Sequence, residues 1–247
     1  MRLLVGTSGW QYRDWRGPFY PDRLPQARWL EHYADHFPTV EVNNSFYRLP
    51  EAPVFTAWAE RTPPGFVIAA KASRYLTHIK RLRDPAEPVT RFVDRARCLG
   101  GKRGPVLLQL PPDLPVATAA LDETLGHFPT GWRVAVEPRH PSWWCEETYA
   151  VLERHGAALC LADRRGPITP LRRTADWGYV RFHEGRAQPA PGYGEQALDT
   201  WARRMAGLFP ADEDVYAYFN NDARACAVRD ARAFARRATG AGALRSA

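Results

Sequence analysis

The sequence predicts a single α/β domain folded as a (β/α)8 barrel, and three observations predict it. Eight short, mostly continuous apolar runs recur at 3–7, 40–43, 66–71, 106–110, 133–137, 158–162, 179–183 and 215–220. Such runs suit parallel strands covered on both faces. Segments with helical spacing of apolar residues lie between them, the alternation expected of a barrel. A chain of 247 residues, 45% of them hydrophobic, is long enough to close one barrel as one domain. The rival, an open doubly wound sheet, usually carries a glycine-rich phosphate loop after its first strand. Here Gly6, Thr7, Ser8 and Gly9 run into Trp10, with neither GxxG nor GK[ST].

After the first strand, Trp29, Leu30, Tyr33, Ala34 and Phe37 share one helical face. Behind the third strand, Val89, Phe92, Val93, Ala96 and Leu99 do the same, and Gly100 and Gly101 act as a stop. The helix after the fourth strand is expected to open near Pro115, since proline is tolerated in a first turn. The segment joining the sixth and seventh strands is short, so its helix is expected to be degenerate. Leu198, Trp201, Ala202, Met205 and Leu208 mark the helix before the last strand. The Pro/Gly-rich stretches 165–173 and 188–194 read as loops within one domain over 1–238, and the small, polar segment 239–247 reads as a flexible tail.

No stretch approaches the roughly 18 apolar residues of a membrane span, and the N-terminus shows no export pattern. A cytoplasmic location is expected. Cys98, Cys145, Cys160 and Cys226 are far apart and form no CxxC pair, which argues against zinc or redox motifs and for free buried thiols. The net charge is +7, almost all of it from arginine, with lysine only at 71, 80 and 102. That balance permits attraction to nucleic acid or phosphorylated ligands. Arg91, Arg95 and Arg97, and likewise Arg232, Arg236 and Arg237, fall on helix faces where solvated charge is the plainer reading.

Barrel chemistry sits where strands enter the following loops. The first strand leads to Ser8, Trp10, Tyr12 and Trp15. The second carries Glu41, Asn43, Asn44, Phe46 and Tyr47. The third ends at Lys71, followed by Tyr75, Thr77 and His78. The fourth gives Gln109, and the fifth gives Glu137, Arg139, His140 and Trp143. The sixth gives Asp163, the seventh Arg181 and His183, and the eighth Asn220, Asn221 and Asp222. Charged and amide groups are costly to bury unless paired. Their convergence at seven strand ends points to one shared pocket, against barrel-end salt bridges and caps as the structural alternative.

Several chemistries fit. Glu41 and Glu137 are candidates for a carboxylate pair in acid–base work or glycoside hydrolysis, or for holding Arg139, Arg181 or Lys71. Glu41, Glu137, Asp163 and His183 are candidates for a divalent metal, but no dense ligand motif such as HExxH is present and no metal site is assigned. Lys71 suits a Schiff-base role if its pKa is depressed, against an ion pair with Glu41 or Glu137. Ser8 lacks a GxSxG context. His183 suits proton transfer or a structural role. Trp10, Tyr12, Trp15, Phe19, Tyr20, Phe46 and Tyr47, with Arg13, Arg16 and Arg48, either stack a base or sugar or pack the barrel mouth.

The motifs GTSGWQYRDWRGPFYP, TVEVNNSFYRLP, WAERTPPGFVIAAKASRYLTH, LLQLPP, VAVEPRHPSWW, YVRFH and YAYFNND, in that order, closely resemble those of the YecE-like domain-of-unknown-function family, from about residue 3 to about residue 225. The resemblance implies a TIM-type barrel with kinship to xylose-isomerase-like and apurinic-endonuclease-like barrels. It carries over Gly6, Thr7, Ser8, Gly9, Trp10, Glu41, Asn43, Phe46, Tyr47, Lys71, Gln109, Pro111, Glu137, Arg139, His140, Trp143, Asp163, Arg181, His183, Asn220 and Asn221. Two departures stand out. Glu184 replaces the glycine that usually follows the seventh-strand histidine, and 227–231 replace an Ala-Pro-x-Asn-Ala pattern.

The expectation is a polar, aromatic-lined pocket at the strand ends. Glu41, Lys71, Glu137 and His183 are its catalytic candidates. Ser8, Trp10, Tyr12, Asn43, Phe46, Tyr47, Gln109, Arg139, His140, Trp143, Asp163, Arg181, Asn220 and Asn221 are its binding candidates. The substrate is a phosphorylated or sugar-containing small molecule or a nucleic-acid fragment. The alternatives are a non-catalytic nucleic-acid-binding barrel and a metal-dependent isomerase or endonuclease-like enzyme. The sequence identifies no cofactor.

Overall fold

A computed structural model describes residues 2–243. Among them, eight parallel strands form one sheet: β1 (Arg2–Thr7), β2 (Thr39–Val42), β3 (Val67–Lys71), β4 (Arg103–Gln109), β5 (Val134–Glu137), β6 (Ala158–Asp163), β7 (Gly178–Phe182) and β8 (Asp214–Phe219). Their order is β1-β8-β7-β6-β5-β4-β3-β2, a barrel running in chain order with β1 joined to β8 over six residue pairs. The helices are α1 (Trp29–Ala34), α2 (Asn44–Tyr47), α3 (Ala52–Glu60), α4 (Ala86–Ala96), α5 (Thr118–Gly126), α6 (Glu146–Arg154), α7 (Glu195–Leu208) and α8 (Cys226–Ala243). The expected degenerate connection is found: β6 runs to β7 with no helix between them. The helix expected to open near Pro115 starts three residues later, at Thr118. Helix α8 continues to Ala243, past the boundary read at 238, and 244–247 of the expected tail lie outside the described residues.

Two apolar cores follow from the two-residue period of a strand. One lies between sheet and helices and contains Val5, Val40, Ile68, Leu108, Val136, Leu161, Val180 and Ala217. The other fills the barrel and contains Leu4, Ala69, Leu107, Ala135, Ala158, Cys160, Tyr179 and Tyr218. Residues two positions beyond these inner ones continue up the interior. Lys71 therefore follows Ala69, Gln109 follows Leu107, Glu137 follows Ala135, Arg181 follows Tyr179, and Asn220 follows Tyr218. Asp163 and Asn221 have the opposite parity.

Closure between β1 and β2 is made differently from the other seven contacts. One bridge, Ser8 with Glu41, joins them at the top. Lower down, the Tyr33 hydroxyl from α1 splices the seam. It accepts from the Thr7 amide at 2.8 Å and donates to the Thr39 carbonyl at 3.0 Å. The strands approach so closely that a Cβ on Gly6 would lie 2.1 Å from the Thr39 carbonyl oxygen, which is why glycine stands there.

Much of the surface arginine is ion-paired: Arg91 with Glu87, Arg95 with Glu51, Arg97 with Asp94, and Arg237 with Glu195 and Asp199. Arg232 lies over Phe19, 5.2 Å from the ring centre. All four cysteines are free; Cys160 and Cys226 are buried, whereas Cys98 and Cys145, expected to be buried, are half-buried.

Tyr33→Phe should cost about 1–3 kcal/mol, because it leaves the Thr7 amide and Thr39 carbonyl unpaired in a buried seam. Urea unfolding with an unchanged m-value would read this as a lower midpoint. A midpoint equal to wild type would mean that the hydroxyl does not fasten the barrel.

Candidate active site

The interior parity places ionisable side chains from four strands, and the amide of Gln109 from a fifth, at one level. Arg181, 1% exposed, stands at the centre. Its Nη2 donates to Glu41 Oε1 at 2.8 Å and its Nη1 to Glu137 Oε2 at 2.6 Å. Glu41 also accepts from Ser8 Oγ at 2.7 Å and from the Tyr179 hydroxyl at 2.5 Å. Glu137 also accepts from Gln109 Nε2 at 2.9 Å, His183 Nε2 at 3.0 Å and Arg139 Nε at 3.3 Å. Lys71 Nζ donates to Gln109 Oε1 at 2.8 Å. A continuous chain of hydrogen bonds thus runs from β3 through β4, β5 and β7 to β2 and the end of β1.

Burial alone would raise the pKa of Glu137, but Arg181, His183 and Arg139 outweigh it and hold the carboxyl well below its usual range. Burial likewise opposes the charge on Arg181, and the two carboxylates overcome it. His183 is pushed down by burial despite Glu137. Asn220 Nδ2 lies 3.2 Å from its Nδ1. That arrangement suits a neutral ring that accepts at Nδ1 and donates Nε2–H to Glu137.

Lys71 differs from its neighbours. The expected ion pair with Glu41 or Glu137 is not made: among the described residues no carboxylate lies within 4 Å of its amine. Its pKa is lowered to about 8, chiefly by burial and then by the like charge of Arg181. The ring of Phe46 covers it, 3.9 Å from centroid to Nζ, so Phe46 is a cation–π partner of the lysine. His78 in turn packs edge-on against Phe46, from a π-helical turn over Tyr75–Ile79. Burial and the nearby Lys71 push the pKa of His78 down to about 4.

Other candidates fall elsewhere. Asp163 points out of the barrel and accepts from Trp201 Nε1 at 2.7 Å. It therefore does not join Glu41, Glu137 and His183, and among the described residues no group of three or more His, Cys, Asp or Glu could hold a metal ion. Asn221 also faces outward and bonds Asp230 Oδ2 at 2.8 Å. Trp143 is fully buried and donates to the Leu114 carbonyl, and the His140 ring caps the short turn that starts at Pro141. Trp10, Trp15, Phe19 and Tyr20 are buried packing, with Trp10 edge-on to Trp58. Tyr47 alone of that aromatic group is widely exposed, at 81%. Asn43 donates to the Ser8 carbonyl at 3.3 Å, and its buried Oδ1 has no partner. Tyr12 donates to the same carbonyl at 2.6 Å.

Asp222 stands with Asn220 and Asn221 at the end of the eighth strand but is not one of the binding candidates. Its carboxyl lies beside Tyr12, and burial raises its pKa to about 7; one of its oxygens is buried without a partner. Its place just after an inner strand end was the available signal. The strand-end reading also passed over Tyr179, whose aromatic ring reads as core although its hydroxyl serves Glu41.

A family model described as "Protein of unknown function DUF72" matches residues 4–246. The chain is similar to the UPF0759 protein YunF of Bacillus subtilis, 26% identical over 253 residues and covering 89% of each chain. It is also similar to the UPF0759 protein YecE of Escherichia coli, 35% identical over 69% of this chain and 62% of that one. Among solved structures, a DUF72 family protein from Thermotoga maritima superposes with a TM-score of 0.83 at 29% identity, covering 96% of this chain and 98% of that one. No helix among the described residues is long and apolar enough to cross a membrane.

The position of Lys71 has a consequence for stability. Its folded pKa of about 8 lies below the ordinary 10.5, so between those values the unfolded chain binds more protons and stability rises with pH. The rise from this group is on the order of 3 kcal/mol. Lys71→Met should flatten the urea-midpoint profile across that window relative to wild type. Parallel profiles for the two proteins would show that Lys71 titrates as an ordinary surface lysine.

Proposed function

The chain belongs to the DUF72 family, and from that premise we propose that the barrel mouth is an active site in which Lys71 is the reacting group. The substrate is an anionic ligand, a phosphorylated or sugar-containing small molecule or the end of a nucleic-acid fragment. The single observation that carries this reading is a buried amine with no carboxylate partner. Such a charge is costly unless an anion arrives to compensate it. With a pKa of about 8 the amine is also present in both protonation states near neutral pH, as a proton-transfer group or nucleophile requires.

Of the two roles open to the glutamates, holding arginine fits better than acid–base work. Glu137 receives four donors and Glu41 three, so few lone pairs remain for a substrate proton. Bridged by one guanidinium, they are positioning residues and not the acid and base of a glycoside hydrolase. His183 holds Glu137 from the mouth side. Arg139, 30% exposed, supplies a second cation beside Lys71 for the ligand. The enzyme acts in the cytoplasm.

A second reading, single-stranded nucleic acid laid across the mouth, is favoured by Tyr47 and Tyr75, exposed at 81% and 42%. Exposed rings next to arginine offer stacking platforms. Its mark is binding that weakens steeply with salt.

Calorimetry with ribose 5-phosphate should show binding that weakens as pH rises through about 8, and Lys71→Met should weaken it about tenfold or more and remove the pH dependence. Equal affinity in the variant, or no binding of ribose 5-phosphate or a short oligonucleotide by wild type, would overturn the assignment.

A further inference from the structure

Outside the barrel, the loops after β6 and β7 and the first turns of α7 enclose a cleft of about 440 Å³. That size falls in the range of small-molecule sites. It is separate from the mouth, because its strand-end residue, Asp163, has the outward parity.

We infer that this cleft is a second ligand site, for a phosphate-bearing molecule that also carries a planar ring, the chemistry of a mononucleotide. Four guanidinium groups line it against two carboxylates. Arg165 is paired with Glu184 at 2.6 Å, but among the described residues Arg164, Arg186 and Arg204 make no ion pair within 4 Å. Arg164 is half-buried, and its one hydrogen bond goes to the Arg139 carbonyl at 3.1 Å. Three unneutralised guanidinium groups facing one cavity fit a phosphate, which they can grip in forked geometry.

The floor is apolar and aromatic. Trp201 and Tyr193, 2% and 6% exposed, form it, and Ile168, 39% exposed, stands at the lip. Arg204 already lies over the Trp201 ring, 5.2 Å from its centre. Both aromatics are fixed in advance. The Trp201 indole donates to Asp163, and both Trp201 and Tyr193 pack edge-on against Phe182. The Tyr193 amide is held at 2.8 Å by Asp230, a buried carboxylate within the segment that departs from the family pattern. The loop wall is equally fixed: Gly185 bonds the Pro191 carbonyl, and a Cβ on it would lie 2.0 Å from the Gly192 carbonyl oxygen. Glu184, the other departure from that pattern, closes the opposite side through Arg165.

The test titrates adenosine monophosphate, inorganic pyrophosphate and a 5′-phosphorylated oligoadenylate against the whole chain, following tryptophan fluorescence. Adenosine monophosphate should bind more tightly than pyrophosphate. Arg186→Ala and Arg204→Ala should each weaken binding in the cleft about tenfold, a phase that persists when Lys71→Met removes binding at the mouth. Tighter binding of the oligonucleotide assigns a nucleic-acid terminus as the source, and tighter binding of the monophosphate assigns the free nucleotide. Loss of binding in Lys71→Met with retention in both arginine variants would place the ligand in the mouth, overturning this inference and leaving the proposed function standing. No binding of the monophosphate, or equal binding of pyrophosphate, would also overturn it.

Discussion

Arg181 is the charge around which the upper barrel is arranged. A guanidinium buried to 1% exposure, its Nε without a hydrogen-bond partner, survives only with its charge matched. Glu41 and Glu137 meet that need from opposite sides of the interior, and each in turn requires donors for its remaining lone pairs. Ser8 and Tyr179 satisfy Glu41; Gln109, His183 and Arg139 satisfy Glu137. The identities of residues on β1, β2, β4, β5 and β7 are therefore coupled by one demand for electrostatic closure. Lys71 stands at the end of this chain, reached only through the amide of Gln109, so it feels the positive field of Arg181 without a carboxylate of its own.

The fold was legible because every strand is covered on both faces and so reads as an apolar run. The short β6–β7 connection was equally legible, since it is the shortest between consecutive strands and carries the Pro/Gly-rich stretch 165–173. The site was legible in composition and less so in direction. Lys71, Gln109, Glu137, Arg181 and Asn220 share parity with inner residues two positions earlier. Asp163 and Asn221 do not, and counting by twos from Cys160 and Tyr218 would have turned them outward. What no counting reaches is partnership. That Lys71 meets an amide and a phenyl ring depends on how far up the barrel each strand is shifted against the next. The aromatic crowd after β1 shows the same limit: Phe19 and Tyr20 are buried, and only the packing of Tyr20 on Trp29 of α1 and of Phe19 under Arg232 of α8 distinguishes them from a stacking platform.

The net charge of +7 is spread over sites of different kinds. On outer helix faces, Arg91, Arg97 and Arg237 pair with acidic neighbours three or four residues away or across a helix gap, and such pairs add little to stability. Near the strand ends, Lys71, Arg164, Arg186 and Arg204 lack such neighbours. Local imbalance is a better guide to ligand chemistry than the total, because salt screens the distant charges and leaves the enclosed ones.

The seam between β1 and β2 bears on how the chain assembles. Strand β1 takes its full ladder from β8, with Arg2 opposite Asp214, a partner 212 residues away. Its other edge meets β2 through a tyrosine hydroxyl and one bridge. During synthesis β1 therefore leaves the ribosome long before its main hydrogen-bonding partner, β8. Until then its backbone is an open edge, a template for mispairing that a chaperone would be expected to shield.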